Sequence, residues 1–268
     1  MGKYILSILE TELETPKPYG MYHLIWLICT LFLIILLFFR RNKNNEKQLK
    51  IVIGTYSIIA FILEALKQLI WALEYDSITN SFVCDYQWYA FPFQFCTMPM
   101  YVCLICLFLK KNKIRNALLS FVAFTTILGS IASAIIPDTL FVSDVLINIH
   151  AMWLHLGSLV VSIYLIMSKE IKLNIKSYFS AIMVFLITII LANILNISIY
   201  NSGILNGETF NMFYISPYFA STLPVFDIIY KTIPYPLFLM FYFVVLSFGS
   251  LIIFTIAKVI NKINYKNK

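Results

Sequence analysis

The residues that could do chemistry are few, and they interrupt segments that are otherwise apolar. The run FPFQFCTMP, residues 91–99, contains Cys96, and the run WLHLGS contains His155. A thiol becomes an effective nucleophile at neutral pH when a base or a positive charge lies beside it. A histidine on another helix could supply that base, so Cys96 and His155 are candidates for a nucleophile and its base.

Further polar side chains fall in the same kind of apolar surroundings. They are Glu64, Lys67, Gln94, His150, Asn193 and Asn211. A charged group at the bilayer centre costs roughly 2.5–3.5 kcal/mol on insertion scales, so such groups usually face a cavity and serve a function. Simpler explanations remain open, because Glu64 and Lys67 could form an ion pair on one helix face. His155 could be a hydrogen-bonded core histidine, and Cys96 a small buried hydrophobe.

The composition indicates an integral membrane protein. Of the 268 residues, 60% are hydrophobic and 12% are charged, whereas soluble domains have about 45–50% apolar and about 25% charged residues. The net charge of +7 lies in short runs between apolar segments, so we expect no nucleic-acid partner. No motif for a metal or a nucleotide is present, and we predict no metal and no cofactor. The expected location is the cell membrane, with membrane lipids as partners.

Seven segments have the length of about 20 residues that a membrane-spanning helix needs. Their approximate bounds are 21–39, 51–73, 89–109, 116–136, 147–168, 177–199 and 234–257. No repeat or linker divides the chain. The sequence therefore predicts an all-α fold, a polytopic bundle of seven transmembrane helices that forms one domain over residues 1–268.

The basic residues predict the orientation of this bundle. Most of the 20 lysines and arginines follow the first, third, fifth and seventh segments, among them Arg41, Lys43 and Lys268. Acidic residues such as Glu74 and Asp138 fall at the other ends. The positive-inside rule then places the N-terminus outside and the C-terminus in the cytoplasm.

This orientation converts sequence position into depth. Cys96 and His155 both fall roughly 10–12 Å below the outer ends of their helices, at about 1.5 Å per residue. Glu64, Lys67 and Asn193 also belong to the outer half. The aromatic and proline-rich loop 200–233 is expected to fold back onto the outer mouth, because non-helical backbone at membrane depth must be buried in protein or line a cavity.

The order of several motifs resembles the YwaF-type (TIGR-class) integral membrane proteins of bacteria. The matching runs are EALKQLIW from Glu64, FPFQFC ending at Cys96, LGSIASAIIPD ending at Asp138, HLGSLVVSIY from His155, and the loop that begins FNMF around Asn211. The FPFQFC run is similar to the LPLHLC run of that family. Gln94 stands where the family has a histidine, and Leu156 where it usually has glycine.

An animal relative of this family is a membrane acyltransferase that remodels ether phospholipids, with a cysteine and a histidine as its proposed catalytic pair. The resemblance implies that Cys96 accepts the acyl group and that His155 is the base. In that reading Gln94, Asn193 or Asn211 would bind the oxyanion, and Glu64 would orient a histidine or balance Lys67.

The sequence thus favours a lipid acyltransferase or acyl hydrolase in an outer-leaflet cavity. Two alternatives stay open. A non-catalytic protein that binds or transports lipids or small molecules would use the same cavity without covalent chemistry. A sensor or receptor fits less well, because the loops on the basic side are short.

Overall fold

Long apolar helices form most of the protein. The computed structural model describes residues 2–40, 45–76, 78–137 and 140–266. In chain order the helices are α1 (Gly2–Leu9), α2 (Met21–Arg40), α3 (Glu46–Ile70), α4 (Met98–Phe108), α5 (Lys113–Ile135), α6 (Val145–Met167), α7 (Ile175–Asn201), α8 (Phe226–Thr232) and α9 (Tyr235–Lys266). Six of them, α2, α3, α5, α6, α7 and α9, are long and apolar enough to cross a membrane. The prediction of a multi-pass membrane protein is confirmed. Arg41, Lys43, Asp138 and Lys268 lie outside the described residues.

The third predicted span, 89–109, differs from the expected continuous helix. Only Met98–Phe108 is α-helical, and this helix of 11 residues is about 16 Å long. A short 3-10 turn, Trp88–Ala90, and an irregular segment precede it. Pro92 explains the break, because proline disfavours helical backbone in the residue before it, and Phe91 is extended with φ −49° and ψ 132°. Cys96 therefore lies in a turn before α4 and not inside a helix.

The loops contain structure that the all-α expectation omitted. Strands β1 (Leu73–Asp76) and β2 (Ser81–Cys84) pair antiparallel directly after α3. The loop 200–233 folds back into the bundle as predicted, since Phe210, Met212 and Phe213 are fully buried.

The helices pack around an aromatic core at the centre of the bundle. Helix α3 packs against α4 and α6, and α5 packs against α7 and, through its middle, against α9. Phe95 is held in this core, with its ring centroid 5.6 Å from that of Phe185 and 6.4 Å from that of Phe121. The residue next to Cys96 thus anchors the turn that carries the thiol.

Contacts between segments that are distant in sequence hold each end of the bundle together. At one end Leu13 donates its N–H to the Ser143 carbonyl at 2.9 Å, just before α6 begins. At the other end Arg115, in the first turn of α5, pairs with Glu46, in the first turn of α3, at 2.8 Å.

Candidate functional site

Cys96 lies in the turn that leads into α4. Thr97, the residue before the first helical position, is buried, and its hydroxyl donates to the Gln94 carbonyl at 2.8 Å and accepts from the Gln94 N–H at 3.0 Å. The Tyr101 hydroxyl donates to the Pro92 carbonyl at 2.7 Å. These bonds fix the turn that precedes the helix. The Cys96 side chain is half-buried there.

The surroundings of the Cys96 sulfur contain both favourable and opposing charges. The backbone N–H groups of Cys96 and Thr97 interact with the sulfur, and the Lys67 ammonium is near enough to act on it. Both favour a thiolate, as does the N-terminus of a helix. Burial, which has the largest effect of all, and the Glu64 carboxylate oppose it. The thiol therefore has a polar environment that Cys103, buried deeper in α4 among apolar side chains, lacks.

The Glu64 carboxylate organises a buried polar cluster beside this turn. Its Oε1 lies 2.6 Å from Lys67 Nζ, and its Oε2 lies 2.8 Å from His150 Nε2. Gln68 donates to Glu64 Oε1 at 2.8 Å and to the Ala90 carbonyl at 2.8 Å. Glu64 thus balances Lys67 and also orients a histidine, and the cluster joins α3 to α6 and to the segment before Cys96.

Tyr86 extends this cluster through Gln68. Its hydroxyl donates to Gln68 Oε1 at 2.7 Å. Burial and the charge of Glu64 raise the pKa of the Tyr86 phenol to about 12. Tyr86 therefore remains a hydrogen-bond donor at neutral pH.

His155 lies in the π turn Trp153–Gly157 of α6, where His150 of the Glu64 cluster is close enough to act on it electrostatically. Its Nδ1 is 2.9 Å from the Ser133 hydroxyl of α5. This contact leaves Nε2 for another partner. Among the hydrogen bonds of the described residues, none joins His155 to Cys96. Single π turns inside α-helices are frequent at functional sites, and α5 carries another at Val122–Thr126.

Three amides that the sequence singled out hold the loop 200–233 in place. Gln94 donates to the Asn211 carbonyl at 3.1 Å and accepts from the Phe213 N–H at 2.9 Å. Asn211 donates to the Phe219 and Ala220 carbonyls at 3.2 and 3.0 Å. The Asn193 side-chain oxygen accepts from the Tyr235 hydroxyl at 3.0 Å, away from the Glu64 cluster. These amides are engaged by the loop and its neighbours rather than directed at the thiol.

The backbone of this loop is strained where it meets the Cys96 turn. Phe213 and Tyr214 have φ values of 58° and 59°, a region that residues other than glycine rarely adopt. The Phe213 ring stacks on Phe93 at a centroid distance of 5.8 Å. Strain of this kind persists only where the surrounding structure enforces it, and it clusters at functional sites.

Sequence reasoning missed four residues that shape the site. They are Gln68, Tyr86, Ser133 and Asn196. Gln68 could have been found, because it lies one helical turn after Glu64. Asn196 bonds both the N–H and the carbonyl of Met212, at 2.7 and 3.0 Å, and only the folded loop reveals this.

An apolar groove begins beside the Cys96 turn. It has a volume of about 860 Å³ and lies between α4, α5 and α7. Phe93 and Met98, on either side of Cys96 in sequence, line one end of it, and Ile114 and Phe179 line the other end. Among the described residues, no group of three or more His, Cys, Asp or Glu side chains could hold a metal ion.

Comparison with known proteins identifies the family. The model of the TMEM164 family matches residues 18–258, which include every helix of the bundle except α1 and the last residues of α9. No curated protein and no solved structure matches the chain. The protein belongs to the TMEM164 family of membrane proteins.

Proposed function

We propose that this protein transfers acyl groups between membrane lipids, with Cys96 as the nucleophile. The observation that carries the proposal is the position of the Cys96 thiol. It is half-buried at the N-terminus of α4 and within reach of the Lys67 charge, in a turn whose neighbouring residues Phe93 and Met98 line one end of an apolar groove.

His155 is the proposed base. In the tautomer that donates Nδ1–H to Ser133, 2.9 Å away, Nε2 is unprotonated and can accept a proton. The Nε2 atom of His150 already contacts Glu64 at 2.8 Å, so this histidine serves the charge balance of the Lys67 cluster. The motif resemblance also selects His155. Bringing Nε2 to the thiol needs a change at the π turn, a place where a helix yields locally.

The chemistry proceeds in two balanced steps. His155 takes the thiol proton, and the thiolate attacks the carbonyl of a lipid ester. A C–S bond forms, the ester C–O bond breaks, and the proton passes from His155 to the departing lysolipid oxygen. The hydroxyl of a second lysolipid, deprotonated by His155, then attacks the thioester and restores the thiol. Water in its place would release a fatty acid.

We further propose that residues 88–109 form a seventh crossing. The Trp88 N–H bonds Glu208 of the loop 200–233 at 2.8 Å, whereas the Leu109 carbonyl accepts from Arg115 at the opposite end at 3.4 Å. Seven crossings with basic residues at the Arg115 end give the orientation with the N-terminus outside and the C-terminus in the cytoplasm. The cell membrane is the proposed location.

The motif resemblance supports this chemistry independently of the geometry. The YwaF-type pattern, and through it the animal acyltransferase, assigns the acyl-accepting cysteine to Cys96. The irregular backbone at Phe91–Thr97 fits a reactive turn, because non-helical backbone within a membrane is kept only when protein buries it or a cavity adjoins it.

The test is an acyl-exchange assay in nanodiscs. Purified protein is mixed with a phospholipid that carries an isotope-labelled chain and with an unlabelled lysolipid, and the labelled product is measured by mass spectrometry. We expect exchange that Cys96→Ala abolishes and His155→Ala slows at least roughly a hundredfold, as for loss of a general base. Cys106→Ala, a buried cysteine of the same helix, is the matched control and should keep the activity.

A non-catalytic lipid-binding or small-molecule transport protein is the second candidate, and the groove alone favours it. In that case lipids bind in the groove, but exchange remains at the background rate in the wild type and in every variant. The assay therefore separates the two functions.

A further inference from the structure

The groove between α4, α5 and α7 opens sideways into the membrane. Its rim residues Ile114, Phe179 and Met183 are each more than half exposed. They continue directly into the apolar surface of α7 that includes Ile190 and Ile194, which faces lipid in a membrane-embedded helix. The groove is therefore an indentation of the lipid-contacting surface, and a lipid chain can enter it without crossing water.

The length of the groove matches the depth of one leaflet. Along α7 it runs from Phe179 to Leu191, a distance of about 18 Å at about 1.5 Å per residue. The hydrocarbon core of a bilayer is about 30 Å thick, so one leaflet occupies about 15 Å. A single extended acyl chain fills that depth.

The lining excludes a polar occupant. Its surface is almost entirely apolar, and Ser180 gives its hydroxyl proton to the Lys176 carbonyl at 2.8 Å. No charged side chain lines this groove among the described residues. A headgroup would find no partners there, whereas a hydrocarbon chain needs none.

We infer that the groove holds one acyl chain of the lipid substrate, with the ester end at the Cys96 turn and the methyl end near Ile114. This inference rests on the proposed function, and it identifies acyl-chain length as the property of the substrate that the protein selects. Ala117 and Ser180 are small residues on facing helices near the Ile114 end. Their size leaves room for the end of the chain and thereby sets its length.

The selectivity for chain length comes from the steric fit of the chain in the groove, and not from the transfer of apolar surface out of water. A chain that leaves the bilayer for the groove exchanges one apolar environment for another, so van der Waals packing determines its preference. A larger side chain at Ala117 or Ser180 would shorten the groove. Long chains would then be excluded, while short chains would fit as before.

The test uses alkyl methanethiosulfonates of increasing chain length on the protein in nanodiscs. The Cys96 thiolate attacks the sulfenyl sulfur of the probe, a disulfide forms, and methanesulfinate leaves, so no enzymatic turnover is needed. Mass spectrometry of the peptide that contains Cys96 gives the rate for each probe. The variants are Ala117→Phe and Ser180→Phe, and the matched control is Ile190→Phe on the exposed side of α7.

We expect the longest probes to label Cys96 roughly tenfold or more slowly in Ala117→Phe and Ser180→Phe, as overpacking of a filled site implies. The shortest probes and the Ile190→Phe control should label at the wild-type rate. The same length profile in all four proteins would overturn the inference.

The two proposals fail in different ways. A groove-dependent length profile without acyl exchange would keep the chain site and reject the enzyme. Acyl exchange with an unchanged length profile would keep the enzyme and reject the groove as the chain site.

Discussion

The Nε2 atom of His150 lies 2.8 Å from Oε2 of Glu64, although the two residues are 86 positions apart in sequence. The same carboxylate contacts Lys67 one turn further along α3 at 2.6 Å. Because Glu64 binds both Lys67 of its own helix and His150 of α6, it fixes α3 against α6. It also sets the charge near the Cys96 thiol.

Removal of the Glu64 charge should destabilise the fold. Glu64→Gln leaves the buried Lys67 without its counter-charge, and loss of one partner of a buried pair costs roughly 3–5 kcal/mol. Thermal unfolding in detergent measures the change. The control is Glu14→Gln, because Glu14 and Lys17 form an exposed pair with the same spacing at 3.7 Å. No measurable change is expected there, and an equal loss in both variants would contradict the structural role of the Glu64 cluster.

Gln94 should keep the loop 200–233 closed over the Cys96 turn. Gln94→Leu removes the bonds to the Asn211 carbonyl and the Phe213 N–H, so the Phe213 amide should exchange its hydrogen faster by about tenfold, as for loss of roughly 1–1.5 kcal/mol. Hydrogen-exchange mass spectrometry follows the peptide that contains Phe213. The same substitution at Gln87, a half-buried residue of the preceding segment, should leave this peptide unchanged. Unaltered exchange in Gln94→Leu would show that other contacts hold the loop.

Gly157 should be intolerant of a side chain, because α3 packs closely against the π turn of α6. A Cβ at Gly157 would lie 2.9 Å from Tyr56 Cδ2, while a Cβ at Gly129 would lie at an ordinary 3.5 Å from Phe95 Cδ1. Gly157→Ala should lower the free energy of unfolding by about 1–3 kcal/mol. Gly129→Ala should be close to neutral, since alanine also favours the helix. Equal stability of both variants would indicate that the Tyr56 contact is loose.

Glu170, in the link between α6 and α7, should make stability depend on pH. Burial raises the pKa of its carboxyl above 4.5; the charge of Glu46 adds to this, and Lys111 and Arg115 act against it. When the pKa of a carboxyl is higher in the folded state than in the unfolded state, the protonated carboxyl stabilises the fold. This contribution to the free energy of unfolding is complete at a pH below the pKa of the unfolded state, and it is lost as the pH rises through the pKa of the folded state.

Glu170→Gln removes this dependence. The free energy of unfolding of the variant, minus that of the wild type, should therefore increase as pH rises from about 4.5 and then level off. Unfolding measured at a series of pH values gives this difference. A difference that is constant, or that falls with rising pH, would contradict the assigned shift.

Much of the fold follows from the sequence, because apolar length alone determines where a chain can cross a membrane. The sequence predicted seven spans in this way, and six of them correspond to helices that are long and apolar enough to cross a membrane. The third predicted span, 89–109, is α-helical only over Met98–Phe108, although Pro92 and Pro99 already mark the place where a helix is interrupted or begins.

The candidate site was harder to predict from the sequence. The sequence identified polar residues at a similar depth in different helices, but depth does not specify which of these side chains form hydrogen bonds with each other. Glu64 selects His150, whereas His155 meets Ser133, and this choice depends on the rotation of α6 around a π turn that periodicity does not reveal. Gln94 and Asn211 were expected near the thiol, and only the folded loop shows that backbone groups engage their amides.

The most direct measurement is the mass of the Cys96 peptide after the protein has been incubated with a phospholipid that carries an isotope-labelled acyl chain. The account predicts a labelled acyl group on Cys96 that hydroxylamine removes, that a lysolipid acceptor discharges, and that forms much more slowly in His155→Ala. A Cys96 peptide that stays unmodified while the labelled lipid remains bound to the protein would contradict it, and the protein would then be a lipid-binding protein without covalent chemistry.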